Sequence, residues 1–226
     1  MNFILGMISI IITFSLVVLI EKIFRKEGLF VWISISTIMA NILVCKSVDI
    51  LGFTTSLGNV LFASNFLATD IMSEIYGSKQ SRKAVILGVV SQVIFLITTQ
   101  LALLYIPSSV DQVNDSMKTL FSINVRVSIA SIIMYCISNM LDIYLFEKIK
   151  KKIPNKLWLR NNISTIISNC LENYFFTFFA FIGIYDLKTI ISIATFASVL
   201  EILIAIIDTP FLYLSKKLNK KNKEMV

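Results

Sequence analysis

The chain has 226 residues, 56% hydrophobic and 15% charged, with 21 Lys+Arg against 14 Asp+Glu and no histidine. With a mean hydropathy of +0.81, it is too poor in charge for an ordinary soluble domain, where about a quarter of residues are ionic. The lack of histidine excludes a His-bound metal centre, and Cys45, Cys136 and Cys170 stand singly with no C-x-x-C pair, so no metal or disulfide framework is expected.

Seven apolar stretches follow one another at 3–20, 29–47, 57–76, 84–106, 123–146, 163–184 and 189–214. Each is close to the ~20 residues that a bilayer core requires. The first has no basic stretch before it and basic residues after it, so it reads as a retained helix, not a signal peptide. The predicted fold is all-α, a polytopic membrane bundle of seven transmembrane helices, with six the alternative count. It forms one domain over 1–226, made of a first helix with its basic loop (1–28), a core (29–214) and a basic tail (215–226).

Sorting Lys and Arg by loop puts 17 on one side and 3 on the other, with Lys46 left at a span end. The positive-inside rule then predicts an N-terminus outside and a C-terminus in the cytoplasm. The net charge of +7 is therefore topological. The run at 148–152 reads as a contact with lipid headgroups, and nucleic acid is not an expected partner.

Acids inside the spans carry the functional signal. Asp70 and Glu74 sit four apart on one face of the third span. A carboxylate at mid-membrane costs about 2.5–3.5 kcal/mol on insertion scales, so it normally faces a cavity. Glu74, near the basic loop, has Lys79 or Arg82 as alternative partners. Asp142, Glu172, Glu201 and Asp208 repeat the pattern in later spans. Asn41 lies mid-span, where an amide seeks a partner. Lys46 sits near the external end, with Asp49 within reach. Pro210 interrupts the last span as a bend or a hinge. The segment 107–122 reads as a polar loop.

A short echo links two spans. Residues 138–146 and 168–176 share S-N-x-L-[DE]-x-Y-x-F. Each copy sets an amide three residues before an acid, Asn139 with Asp142 and Asn169 with Glu172, hence on one helix face. Two antiparallel helices bearing them are expected to form a paired amide–carboxylate layer at one depth, and transporter sites often lie at repeat interfaces. Enzyme motifs are missing. There is no P-loop, no G-x-S-x-G, no H-E-x-x-H and no dinucleotide fingerprint, so neither an enzyme nor a cofactor is expected.

The segment Asp70-Ile71-Met72-Ser73-Glu74-Ile75-Tyr76-Gly77, with Lys79, resembles the D-x-x-x-E-x-Y-G-x-K motif of the queuosine-precursor transporter family, part of a wider vitamin-uptake group. Ala40-Asn41 with Lys46, Arg126 with Ala130-Ser131, the stretch from Trp158 to Thr165, and Thr209-Pro210 with Tyr213 are similar in order. Asn139 and Asn169 replace expected Gln, and Glu172 replaces an expected Asp. The resemblance implies a multi-pass importer of 7-deazaguanine derivatives or queuine in a bacterial inner membrane, serving tRNA modification. It implies substrate-binding roles for Asn41, Lys46, Asp70, Glu74, Asn139, Asp142, Asn169 and Glu172. A deazaguanine edge offers N1–H and an exocyclic amine that one carboxylate can accept together, while its O6 needs a donor such as an amide. The alternative is the substrate-binding subunit of an energy-coupling-factor vitamin transporter, which needs a partner ATPase. Such subunits often carry an A-x-x-x-A face, and this chain has none.

Overall fold

A computed structural model describes residues 1–50, 53–121, 125–183 and 185–224, with the side chains of 47, 53, 54, 125–128 and 221–224 outside the description. The expected ends of two spans at Ile123 and Ile184, and the side chains of Arg126, Lys221 and Lys223, lie outside these residues.

The chain runs α1 (Asn2–Leu43), β1 (Ser47–Ile50), β2 (Phe53–Ser56), α2 (Gly58–Ile75), α3 (Ser78–Leu103), α4 (Asn114–Phe121), α5 (Val125–Lys152), α6 (Leu157–Phe181) and α7 (Leu187–Glu224). The first two expected spans are the two halves of α1. Arg25, at φ 56 and ψ −140, breaks the helix between them. The break is a reversal: Asn2 Nδ2 donates to Asp49 O at 2.9 Å, bringing the N-terminus beside the far end of the second half. Gly28 permits this turn, since a Cβ there would meet Ile20 O at 2.7 Å. Gly77, at φ 89, makes the tight turn from α2 into α3.

Two elements depart from the expected all-helical outline. β1 and β2 form an antiparallel ribbon with Ser47 opposite Ser56 and Ile50 opposite Phe53. Its Val, Ile and Thr residues favour the extended chain. The expected polar loop contains α4, begun by Asp111 Oδ1, which accepts from the backbone N–H of Val113 (2.8 Å) and Asn114 (3.0 Å). At the turn between α6 and α7, Asp186 caps α7, and the hydrogen bonds from Thr189 hold its carboxyl below the usual carboxylate range.

Packing is inverted relative to a soluble bundle. α2 is surrounded by α1, α3, α5 and α7, and every residue from Ala63 to Ser73 is buried. Apolar faces of the outer helices point outward, with Ile4, Ile8, Ile12, Ile94, Ile97, Leu203 and Ile206 exposed. Asp70, Asn139, Asp142, Asn161 and Asn169 are buried. Among the described residues, four helices are long and apolar enough to cross a membrane by length and composition. α2 and α6, which carry most of these buried polar residues, are not among them. A polar interior inside an apolar exterior is the arrangement that hydrocarbon selects.

Candidate functional site

Three helices and a fourth converge on a carboxylate cluster. Thr165 Oγ1 on α6 lies 3.4 Å from Asp70 Oδ2 on α2 and 3.3 Å from Asp142 Oδ1 on α5. One hydroxyl proton can serve only one of them at a time. Asn161, one turn earlier on α6, donates its Nδ2 to Asp208 Oδ1 on α7 at 2.7 Å. Asp142 and Asp208 both lie close to Asp70, and Asp70 and Asp142 are within hydrogen-bonding reach, so that one proton can be shared between their carboxyl groups. Among the described residues no basic side chain pairs with any of these three acids. Asp70 Oδ1, Asp142 Oδ2, Asn161 Oδ1 and Ser73 Oγ are buried without a hydrogen-bond partner. Buried polar atoms normally find partners, so such a concentration marks a place where a ligand's donors can complete the network.

A second polar layer lies on the other side of this cluster from the helix ends that carry Glu74 and Arg160. Ser138 Oγ donates to Glu172 Oε2 at 2.5 Å, and Asn173 Nδ2 to Glu201 Oε2 at 2.7 Å. Asn139 Nδ2 donates to Tyr135 O at 3.0 Å, while Asn139 Oδ1 and Asn169 Oδ1 have no partner. On α3, both amide atoms of Gln92 are buried and unpartnered. On α2, Asn65 Oδ1 accepts from Ser36 at 2.5 Å and its Nδ2 has no partner.

The third group closes the bundle at the basic end. Glu74 takes Arg160 Nη2 and Lys150 Nζ (3.1 Å) on one oxygen and Lys216 Nζ (2.6 Å) on the other. Arg160 also donates to Pro154 O at 2.7 Å and lies over the Phe146 ring. Beside it, buried Glu21 accepts from Tyr76 (2.7 Å), Ser215 (3.0 Å) and Asn219 (2.5 Å). These contacts tie α1, α2, α5, α6 and α7 together at one end.

The eight expected site residues are thus divided. Asp70 and Asp142 come together, and Asn139 and Asn169 are buried on facing helices. Glu74 belongs to the ionic group, paired with Arg160 in place of Lys79 or Arg82. Asn41 is half-buried and turns its Nδ2 onto Thr37 O of its own helix at 2.9 Å. Lys46 is exposed at the start of the ribbon. The paired amide–acid layer is split in depth. In the antiparallel α5–α6 pair Glu172 meets Ser138 and Asp142 meets Thr165, so the two acids fall on opposite sides of the two amides. Antiparallel travel reverses the order of amide and acid, so two acids cannot share a level when their amides do. Thr165, Asn161 and Gln92 were not singled out by spacing, and Glu21 lies just beyond the first apolar stretch. Neutral residues give no composition signal, although Asn161 and Thr165 fall inside the 158–165 segment that carries the resemblance.

A polar interior wrapped in apolar helices, with uncompensated acids at its centre, defines a multi-pass membrane protein of the solute-carrying class. The family described as "Putative vitamin uptake transporter" matches residues 56–215, and the chain belongs to it. The chain is 37% identical over 210 residues to the "Probable queuosine precursor transporter" of Bacillus subtilis (strain 168), covering 92% of each chain. It is 29% identical over 164 residues to the "Queuosine precursor transporter" of Escherichia coli (strain K12), covering 70% of each. No solved structure matches it. Family and relatives alike are transporters, not enzymes.

Proposed function

We propose that this protein imports queuosine precursors, 7-deazaguanine derivatives or queuine, across a bacterial inner membrane for salvage into tRNA. The observation that carries the reading is the Asp70–Thr165–Asp142 junction, with its unpartnered carboxylate oxygens, in a chain 37% identical to a relative bearing that name. One carboxylate accepts N1–H and the exocyclic amine of the base, and the remaining N–H of the Asn139 amide supplies a donor for O6. An amine-bearing substituent, cationic near neutral pH, takes a second acid of the cluster.

The two halves of α1 with α2, α3, α5, α6 and α7 give seven crossings, with the N-terminus outside and the tail in the cytoplasm. Supporting this, Arg25 meets Asn219 at 2.9 Å at the end of the bundle where Glu74 gathers its cations, while Asn2 lies at the other end. In a cell unable to make the precursor but retaining the tRNA-inserting enzyme, the wild-type chain restores queuosine to tRNA. Asp70→Asn is expected to abolish that restoration at equal membrane abundance. Full restoration would remove Asp70 from the mechanism.

A further inference from the structure

Five interior acids, Asp70, Asp142, Asp208, Glu172 and Glu201, have no basic partner among the described residues, whereas Glu74 has three. An uncompensated carboxylate in hydrocarbon is neutralised either by a proton or by a cation brought from outside the chain. The two glutamates are separate from the aspartate cluster. Asn173, the residue after Glu172 on α6, donates to Glu201 on α7 at 2.7 Å, which sets the two glutamates at one level of the α6–α7 contact. Each is held by one neutral donor, Ser138 at 2.5 Å and Asn173 at 2.7 Å, which fixes one oxygen and leaves the other available.

What surrounds them is rich in oxygen. On α6, Ser168 Oγ and Asn169 Oδ1 lie one turn from Glu172 on the same face, both buried and both unpartnered. On α7, Ser198 Oγ lies one turn from Glu201, buried and likewise unpartnered. Two carboxylates with hydroxyl and amide oxygens form a hard, all-oxygen donor set with no nitrogen or sulfur ligand, which suits an alkali or alkaline-earth ion over a transition metal.

We propose that Glu172 and Glu201, with Ser168, Asn169 and Ser198, form a second site that binds a sodium ion during transport. Sodium balances a charge that the substrate does not reach and joins α6 to α7, the two helices that also position Asn161 and Asp208. Entry of the ion thereby favours the arrangement of the substrate cluster, and the ion gradient drives uptake.

The full-length protein in detergent is heated in sodium chloride, potassium chloride or choline chloride at matched ionic strength. Sodium alone is expected to raise the unfolding temperature by about 2 °C or more. The shift persists in Asp70→Asn, whose defect lies at the substrate cluster, and vanishes in Glu201→Gln and Glu172→Gln. If a glutamine variant does not fold, Glu201→Asp serves instead, with the sodium concentration for half the shift expected to rise about fivefold or more. In proteoliposomes, replacing sodium by choline is expected to cut uptake about fivefold or more. Equal shifts in all three salts, a sodium shift surviving in Glu201→Gln, an unchanged half-point in Glu201→Asp, or full uptake driven by acid in sodium-free buffer would each overturn the site. Since the thermal measurement contains no substrate, its outcome is independent of whether the imported solute is a deazaguanine.

Discussion

Thr165 shows how much rests on one hydroxyl. Among the described residues its hydroxyl is the hydrogen-bonding link between Asp70 and α6, and it meets Asp142 as well. Val has nearly the same shape and no hydroxyl, so Thr165→Val keeps the packing and frees both acids. Net hydrogen bonds to charged groups are worth about 1.5–3 kcal/mol, and every ~1.4 kcal/mol is tenfold in affinity. Thr165→Val is therefore expected to raise the half-saturating substrate concentration about tenfold or more in uptake assays, with Thr165→Ser close to wild type. Equal uptake by Val would place the two acids' orientation elsewhere. Asp70 was legible from its depth in an apolar span, but Thr165 was not, because threonine is ordinary in helices and becomes informative only once its neighbours are known.

At the level of helices, close approach and ionic closure set the geometry. α3 meets α5 at Gly88, where a Cβ would sit 2.7 Å from the Tyr135 hydroxyl and 3.2 Å from Ile33 Cγ2. Tyr135 is 1% exposed, and its buried hydroxyl has no hydrogen-bond partner among the described residues. Gly88→Ala is expected to cost about 1–3 kcal/mol by overpacking, read as a lower unfolding temperature in detergent. Adding Tyr135→Phe removes the clashing oxygen and recovers part of the loss. The Glu74 group predicts a contrast of its own. Arg160 has 1% of its side chain exposed and depends on Glu74, so Glu74→Gln leaves a buried cation and costs about 3–5 kcal/mol. Lys216, 51% exposed in the same group, is screened, and Lys216→Met costs about 1 kcal/mol or less. Similar unfolding temperatures for the two variants would contradict the assignment of Arg160 as the buried member.

Across the whole molecule, sidedness follows from which ends gather which charges. Cys45 is exposed next to the ribbon, at the end where Asn2 meets Asp49. In intact cells a membrane-impermeant maleimide is expected to label Cys45 and to lose that label in Cys45→Ser. Labelling that requires permeabilised cells would invert the topology. The seven expected stretches overlap helices, and four of the helices among the described residues have the length and apolarity that bilayer thickness demands. The turn at Arg25 was marked by the basic cluster around it, although φ 56 at a non-glycine residue was not. The ribbon at 47–56 escaped notice because it lies between spans, where the lipid imposes no pattern.

Sequence alone determined that this is a helical membrane protein and that acids lie inside its apolar helices, because each of these is a matter of transfer free energy counted along the chain. It also carried the family, through motifs spread from residue 40 onward. The tertiary structure decided which acids meet. Glu74 left the expected site for Arg160, Lys150 and Lys216, Asp208 joined Asp70 and Asp142, and the two echoing segments were separated in depth. Helix rotation and antiparallel register fix those contacts, and neither is written in the spacing of any single helix.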